Sequence, residues 1–168
     1  QALDNSCNLW FIQAAQTLQP TVFYDYIRAF GFTQPTGVDL PSETRWTSVY
    51  NAQQMAEVDT NLYTAAFGQN EAITPMQMAT AIAAIANGGY LVTPYIVDSI
   101  TDDVGNIISQ TDTSVRRQVI SEEVSQEILS MMENNVDPNG TLSIRHSCKN
   151  AYVAGYRIGG KSGTAERT

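Results

Sequence analysis

The chain has 168 residues, 43% of them hydrophobic and 15% charged, which suits one globular domain with a single core. Its 17 acidic residues against 9 basic ones give a net charge of −8 and exclude the basic surface that nucleic-acid binding requires. One histidine and two isolated cysteines, Cys7 and Cys148, provide no zinc-ligand set, so no metal or cofactor is expected. Both cysteines are predicted to be buried free thiols, with a disulfide as the open alternative.

Two helices are predicted at the start of the chain. Residues 4–18 carry apolar side chains at helical spacing. Three polar residues are available as the N-cap of this helix: Asp4, Asn5 and Ser6. Pro20 ends the helix and begins a second one, for which Gly31 suits the C-terminal stop.

The next segment is predicted to be irregular before a strongly marked helix. Residues 33–43 are rich in turn formers, and residues 47–67 predict part helix and part loop. The stretch TPMQ at 74–77 predicts a capping box at the start of a helix that ends at 87–89. The alanine-rich, nearly uncharged body of this helix predicts burial on most of its sides.

Strands and one more helix are predicted beyond it. Residues 90–100 predict a strand, and the turn DDVGN leads from there into IISQ, 107–110, as a hairpin or a short excursion. Ser121 suits the cap of a helix over 122–136, whose apolar side is predicted to belong to the core. The glycine-rich stretch 152–166 alternates in the manner of a strand closely approached by another group. The elements together predict one α+β domain.

The sequence GYRIGGKS, 155–162, matches the phosphate-loop pattern G-x-x-x-x-G-K-[ST]. If this match is meaningful, the chain is a non-enzymatic nucleotide-binding module. A phosphate loop requires a buried strand before its first glycine and a helix that begins at its Lys-Ser pair. Here the polar stretch RHSCKN precedes a run of only four residues, AYVA, and Gly163 is a poor residue for a first helical turn. The surrounding sequence therefore disfavours nucleotide binding.

A second interpretation uses two tripeptides in chain order. Serine enzymes that recognise penicillin carry S-x-x-K, then S-x-N, then K-[ST]-G. This chain contains S-x-N at Ser6-Cys7-Asn8 and K-S-G at Lys161-Ser162-Gly163. Each tripeptide alone is weak evidence, since Ser6 and Asn8 also suit helix caps. Their order favours the enzyme interpretation.

The sequence between these tripeptides carries a more specific resemblance. Six segments of this chain resemble successive blocks of class B penicillin-binding proteins, which are the transpeptidases that cross-link peptidoglycan. The segments are SCNLWF, FYDYIRAFGF, TGVDLPSE, FGQNEAITPMQMATAIAAIANGG, TPYIV and GYRIGGKSGTAE. The resemblance spans essentially the whole chain. It implies the fold of the penicillin-binding proteins and serine β-lactamases, with an antiparallel sheet edge packed with helices. Asn70 departs from the family, which has a second glycine after Gly-Gln, and only a local loop change is expected from this.

The S-x-x-K motif of the family is absent from this sequence. His146 stands three positions before Lys149, and Ile158 three positions before Lys161. The resemblance therefore implies that residues 1–168 are a partial transpeptidase domain, truncated at both ends, without the nucleophilic serine and inactive alone. A strand at 156–166 without its sheet neighbour would expose unpaired backbone groups, so self-association of the chain is expected.

The resemblance assigns catalytic roles to three residues. Ser6 would relay a proton to the leaving group, and Asn8 would hydrogen-bond the amide side of the substrate. Lys161 would supply positive potential near Ser6 and near the substrate carboxylate.

Three further residues would bind substrate. The hydroxyls of Ser162 and Thr164 would hold the carboxylate, Gly163 would let the substrate lie against the strand, and the Thr164 N–H would form half of the oxyanion hole. The implied partners are D-Ala-D-Ala stem peptides of peptidoglycan and β-lactams, at the extracytoplasmic face of a bacterial membrane that anchors the parent protein. A serine β-lactamase or a β-lactam-sensing domain uses the same motifs and is the alternative within the superfamily.

Overall fold

The computed structural model describes residues 1–44, 47–139 and 148–164, so His146 lies outside the described residues. Within them lie six α-helices: α1 Asn8–Leu18, α2 Pro20–Ala29, α3 Ala52–Glu57, α4 Asp59–Ala66, α5 Pro75–Ala86 and α6 Glu122–Val136. Four strands and one short 3-10 helix complete this part: β1 Tyr90–Val92, β2 Ser99–Thr101, β3 Ile107–Gln110, β4 Val115–Gln118 and the 3-10 turn Lys149–Ala151. The mixture of helices and antiparallel strands confirms the α+β class.

The first helix begins later than the sequence pattern predicts. Cys7 is the N-cap of α1, without a side-chain capping hydrogen bond, and Asp4 and Asn5 lie in the turns before it. Ser6 has a positive φ of 48°, whereas an N-cap residue is extended. The prediction that one of these three polar residues caps the helix is therefore wrong. Asn8 is the first residue of α1 and is not its cap either.

Pro20 separates α1 from α2 as predicted. Pro20 is the first residue of α2. A backbone N–H at this position would have no acceptor within the helix, so proline, which lacks the N–H, loses no hydrogen bond there. Gly31 follows α2 with a φ of 88°, a conformation that ends the helix at little cost for glycine. Helices α1 to α4 enclose the main apolar core, whose buried members are Ala15, Ile27, Met55, Leu62 and Ala65.

The helix α5 begins with the predicted capping box. Thr74 Oγ1 accepts the N–H of Gln77 at 3.1 Å, and Gln77 Oε1 accepts the N–H of Thr74 at 2.8 Å. The buried Gln77 amide also donates to the Gln34 carbonyl at 2.8 Å, which attaches the preceding loop to α5. The prediction of burial on most sides is wrong, since Met78 and Ile82 are 46% and 42% exposed. Within the described residues, α5 packs mainly against β1 and α6 on its other side.

Two antiparallel two-stranded sheets, β1 with β4 and β2 with β3, replace the single strand predicted over 90–100. The break lies at 93–98, where the Asp39 carboxylate accepts the N–H groups of Ile96 at 2.8 Å and Val97 at 2.9 Å. These two donors are therefore not available to a sheet ladder. The same bonds favour the ionised carboxylate and lower the pKa of Asp39. The hairpin predicted between the second pair of strands is confirmed.

Strand β4 was not predicted from the sequence, and hydrogen bonds from its Arg117 attach it to α2. Arg117 lies opposite Leu91, which is fully buried in the β1–β4 pair. The Arg117 guanidinium donates to the carbonyls of Ala29 at 2.8 Å and Arg28 at 3.1 Å. Carbonyls at the end of a helix have no partner inside the helix, so this side chain joins the sheet to α2.

Helix α6 begins at the predicted cap, where Ser121 Oγ accepts the N–H of Val124 at 3.2 Å. Its predicted apolar side is only partly in the core, because Val124 and Met131 are 40% and 49% exposed. The buried positions of α6 are instead Ser125, Asn135 and Val136. The helix therefore buries two polar side chains, which the contacts described below explain.

The strand predicted over 152–166 is not present in its described part, 152–164. No second strand of the described residues lies alongside it. The N–H of Gly160 instead donates to the carbonyl of Met132 in α6 at 3.0 Å, so a helix holds this segment. Across the described ranges, none of the helices is both long and apolar enough to span a membrane.

Candidate active site

One cavity of about 520 Å³ brings together residues from the two ends of the chain. Its walls are formed by the turn before α1, the end of α4 with the loop that follows, and residues 161–164. All six residues singled out from the sequence line it: Ser6, Asn8, Lys161, Ser162, Gly163 and Thr164. The fold thus places both tripeptides, about 150 residues apart in sequence, in one open site.

The shortest contact in this cavity joins the two tripeptides. Lys161 Nζ donates to Ser6 Oγ at 2.5 Å and to the carbonyl oxygen of Ser162 at 2.6 Å. An ammonium group at this distance favours negative charge on the hydroxyl and orients it for proton transfer. Both side chains are exposed to solvent, so the pair is accessible to a ligand.

Residues 162–164 form one wall of the same cavity. A Cβ atom built on Gly163 would meet no atom within 4 Å among the described residues other than its chain neighbours, so the space beside its backbone is open in that part of the chain. Ser162 and Thr164 flank this opening and are exposed. The wall therefore offers hydroxyl groups and accessible backbone next to the Lys161 ammonium, which is a suitable set for an anionic group.

The same segment does not have the form of a phosphate loop. Residues 161–164 are not helical, so no helix N-terminus begins at Lys161-Ser162 in the described part of the chain. The short 3-10 turn at 149–151 stands where a phosphate loop requires the preceding strand. Within the described residues there is also no group of acidic, histidine or cysteine side chains that could hold a metal ion.

The loop after α4 completes the cavity and contains the sequence departure at Asn70. Phe67 and Gln69 line the cavity, although the sequence interpretation did not single them out. Gly68 and Asn70 both have positive φ, 80° and 63°. Asparagine is among the few residues besides glycine that adopt this conformation readily. Asn70 therefore adopts this left-handed conformation at less cost than most other side chains would.

Glu71 follows in the same loop and is a titratable group that the sequence interpretation missed. Its Oε1 is buried and has no hydrogen-bond partner among the described residues. Loss of hydration disfavours the charged form, so burial raises the pKa of Glu71 to about 7 from its ordinary value of 4.5. This half-buried carboxyl lies two residues from the cavity-lining Gln69, and its protonation makes the stability of the fold dependent on pH.

Glu71→Gln is expected to remove a pH dependence of stability between about 4.5 and 7. In that range the unfolded chain has released this proton and the folded chain retains it, so stability falls as pH rises and then levels off. Water screens a half-buried group, so we expect the variant to be more stable by about 2 kcal/mol at pH 8.

Urea unfolding at several pH values measures this difference. Glu133→Gln is the matched control, because hydrogen bonds from Arg157 lower the pKa of Glu133 and place its effect at lower pH. An unchanged slope between pH 4.5 and 7 in Glu71→Gln would show that Glu71 is not the responsible group.

Comparisons with known proteins cover the whole chain. A family model described as the penicillin binding protein transpeptidase domain matches residues 1–168. Stage V sporulation protein D of Bacillus subtilis is 37% identical over 168 residues, which cover 99% of this chain and 24% of that protein. Penicillin-binding protein PbpB of Mycolicibacterium smegmatis is 33% identical, over 96% of this chain and 24% of its own length. The chain thus spans about a quarter of these relatives.

Solved structures agree with these relatives. Penicillin-binding protein 3 from Mycobacterium tuberculosis, complexed with aztreonam, superposes with a TM-score of 0.87 at 28% identity, over 99% of this chain and 36% of that one. The D,D-transpeptidase domain of a peptidoglycan glycosyltransferase from Eggerthella lenta gives a TM-score of 0.81 at 25% identity, over 100% of this chain and 42% of that one. Neither comparison supports the nucleotide-binding module, the β-lactamase or the sensor domain.

Proposed function

The chain belongs to the penicillin-binding protein transpeptidase domain family, and from this premise we propose that its parent protein is a peptidoglycan D,D-transpeptidase. The proposal is that the parent acts through an acyl-serine intermediate. The observation that carries it is the contact between Lys161 Nζ and Ser6 Oγ, 2.5 Å long, in a cavity lined by all the other candidate residues. Family membership supports transpeptidation as the class of reaction, and the Lys161–Ser6 contact supports the assignment of these two residues to the site.

The proposed reaction has two acyl transfers. A serine Oγ attacks the carbonyl carbon of the D-Ala-D-Ala peptide bond, and the C–N bond to the terminal D-Ala breaks. The proton that the attacking hydroxyl loses is relayed by Ser6 to the leaving nitrogen, while Lys161 stabilises the negative charge that develops on Ser6 Oγ during the relay. An amine of a second stem peptide then attacks the acyl-serine and restores the serine hydroxyl. A β-lactam acylates the same serine by opening its ring.

Substrate binding is assigned to the wall at 162–164 and to Asn8. The hydroxyls of Ser162 and Thr164 bind the terminal carboxylate, next to the positive charge of Lys161. Gly163 has open space beside it for the peptide, and the Thr164 N–H is half of the oxyanion hole. Asn8, at the start of α1, hydrogen-bonds an amide of the substrate.

The nucleophile belongs to a part of the parent protein other than these 168 residues. The sequence contains no S-x-x-K, so residues 1–168 are proposed to be a partial domain and inactive alone. The proposed location is the extracytoplasmic side of the membrane, where stem peptides are, with an anchor elsewhere in the parent. Self-association of the isolated chain is also part of this proposal, since residues 156–164 have no neighbouring strand among the described residues and Tyr156 is 74% exposed. A concentration-independent monomer mass in light scattering would count against it.

Labelling with fluorescent penicillin tests the proposed function. The full-length parent is expected to form a covalent adduct that survives denaturation, whereas the 168-residue chain forms none. A covalent adduct on the chain itself would contradict the assignment of the nucleophile. Rapid turnover of a chromogenic cephalosporin by the parent would instead favour the β-lactamase alternative. ATP binding that is lost in Lys161→Ala would favour the nucleotide-binding one.

A further inference from the structure

The segment that leads into Lys161 is attached to the C-terminal half of α6. The Gly160 N–H donates to the Met132 carbonyl at 3.0 Å, and Asn135 Nδ2 donates to the Gly160 carbonyl at 2.8 Å. Both backbone polar groups of Gly160 are therefore bound to one helix. No sheet ladder of the described residues includes this segment, so contacts with α6 hold it in place of a neighbouring strand.

Asn135 is well suited to hold this position because it is itself fixed. It is 0% exposed, and its Nδ2 lies 3.5 Å from Cys148 Sγ as well as 2.8 Å from the Gly160 carbonyl. Burial of an amide group destabilises the folded protein unless the amide forms hydrogen bonds there. Removal of the donor would take from the partly buried Gly160 carbonyl the partner that Asn135 provides.

A second attachment lies three residues upstream. Arg157 donates to both carboxylate oxygens of Glu133, at 2.8 and 2.7 Å, in the two-pronged geometry that fixes direction as well as distance. Close packing adds to it, since a Cβ atom on Gly159 would lie 3.0 Å from Met132 Cβ. The exposed ion pair contributes little by itself. The part-buried bond from Asn135 is therefore the stronger of the two side-chain attachments.

The planarity of the peptide bond carries this constraint to Lys161. The carbonyl of Gly160 and the N–H and Cα of Lys161 belong to one rigid plane. A hydrogen bond that holds the Gly160 oxygen therefore also restricts the position of the Cα from which the Lys161 side chain extends. The Nζ of that side chain lies 2.5 Å from Ser6 Oγ.

We propose that Asn135 is a positioning residue for the site: its bond to the Gly160 carbonyl holds the Lys161 ammonium at Ser6. This inference rests on the proposed function, because the Lys161–Ser6 contact matters only if the site performs acyl transfer. Asn135 touches neither substrate nor the reacting atoms. Its proposed effect on the site is exerted through the Gly160–Lys161 peptide plane.

Asn135→Asp in the full-length parent tests the proposal through pH. The neutral acid donates its O–H to the Gly160 carbonyl and replaces the amide bond, whereas the carboxylate repels that carbonyl. Burial raises the pKa of such a group into the accessible range. The rate of acylation by fluorescent penicillin, relative to the wild type, is expected to be near 1 at pH 5. At pH 8 it is expected to be about 10- to 100-fold lower, as for a reacting group displaced by about 1 Å.

Two further variants separate positioning from folding. Asn135→Leu has a similar shape and no donor, so the same loss is expected at every pH, without recovery at pH 5. Ser125→Ala is the stability control, since Ser125 is equally buried on α6 but donates to the Ile85 carbonyl of α5 at 2.5 Å. It is expected to lower Tm without a pH-dependent change in relative rate.

The outcomes distinguish the inference from the function on which it rests. Efficient labelling of the wild type, with Asn135→Asp and Asn135→Leu at wild-type rates, overturns the positioning role and leaves the proposed function intact. A loss in all three variants in proportion to their lowered Tm also overturns it, since the effect is then structural. If Asn135→Asp does not fold, Asn135→Leu decides by its rate alone. No labelling of the wild type overturns both the function and the inference.

Discussion

Lys161→Ala in the full-length parent is expected to lower the rate of acylation by fluorescent penicillin by about 100- to 1,000-fold, the effect of removing one donor that stabilises developing charge. Two contacts of Lys161 Nζ are lost together, one to Ser6 Oγ at 2.5 Å and one to the Ser162 carbonyl at 2.6 Å. The first orients the proposed proton relay, and the charge itself attracts the substrate carboxylate. Both the affinity for penicillin and the maximal acylation rate should therefore fall.

Lys149→Ala is the matched control for this experiment. Lys149 is the only other lysine of the chain and lies on the exposed 3-10 turn, away from the cavity. Lys149→Ala removes the same positive charge from the protein as Lys161→Ala does. An equal loss of acylation rate in both variants would therefore indicate a general electrostatic effect. A wild-type rate in Lys161→Ala would contradict the role proposed for the cavity.

The second large effect is on folding, at Gly89. Gly89→Ala is expected to destabilise the chain by about 3 to 4 kcal/mol, because an added Cβ overpacks a rigid contact. That Cβ would lie 1.9 Å from the Ile120 carbonyl oxygen, and the φ of Gly89 is +94°. The neighbour is backbone, which cannot move aside as a flexible side chain would. The Gly89 carbonyl also accepts the N–H of Val119 at 2.7 Å, so the two segments cannot separate without losing that bond.

Urea unfolding of Gly89→Ala and Gly105→Ala measures the effect of this close approach. Gly105 has a similar φ of +91°, but a Cβ there meets no atom within 4 Å. Its replacement should cost only about 1 kcal/mol for the left-handed conformation. Equal unfolding midpoints for the two variants would show that the contact with Ile120 is not responsible.

Local sequence patterns predicted local structure well. Thr74 and Gln77 form the capping box, Pro20 separates two helices, and Ser121 caps α6. Each of these features depends on side chains and backbone groups within a few residues of one another, so no distant part of the chain is needed to satisfy it. The same is true of the hairpin β2–β3, whose strands are joined by a short turn.

The sequence predictions are wrong or incomplete where a residue distant in sequence hydrogen-bonds a backbone group or where distant residues decide how far a side chain is buried. Asp39 binds the N–H groups of Ile96 and Val97 and interrupts the predicted strand. Arg117 belongs to a strand that its polar sequence did not reveal, because its partners are carbonyls at the end of α2. Glu71 is an ordinary acidic residue in the sequence, and only its burial raises its pKa to about 7.

The candidate site shows the same division. The order of S-x-N and K-S-G favoured the enzyme interpretation, and the resemblance of the sequence between these tripeptides pointed to the family and to the six candidate site residues. Their meeting in one cavity is a property of the tertiary structure, since α1 and α4 carry one wall and residues 161–164 the other. The support of Lys161 by Asn135 depends on a hydrogen bond between groups 25 residues apart. Sequence patterns report interactions along one helix or turn, whereas only the packed chain determines which distant backbone group a buried side chain must satisfy.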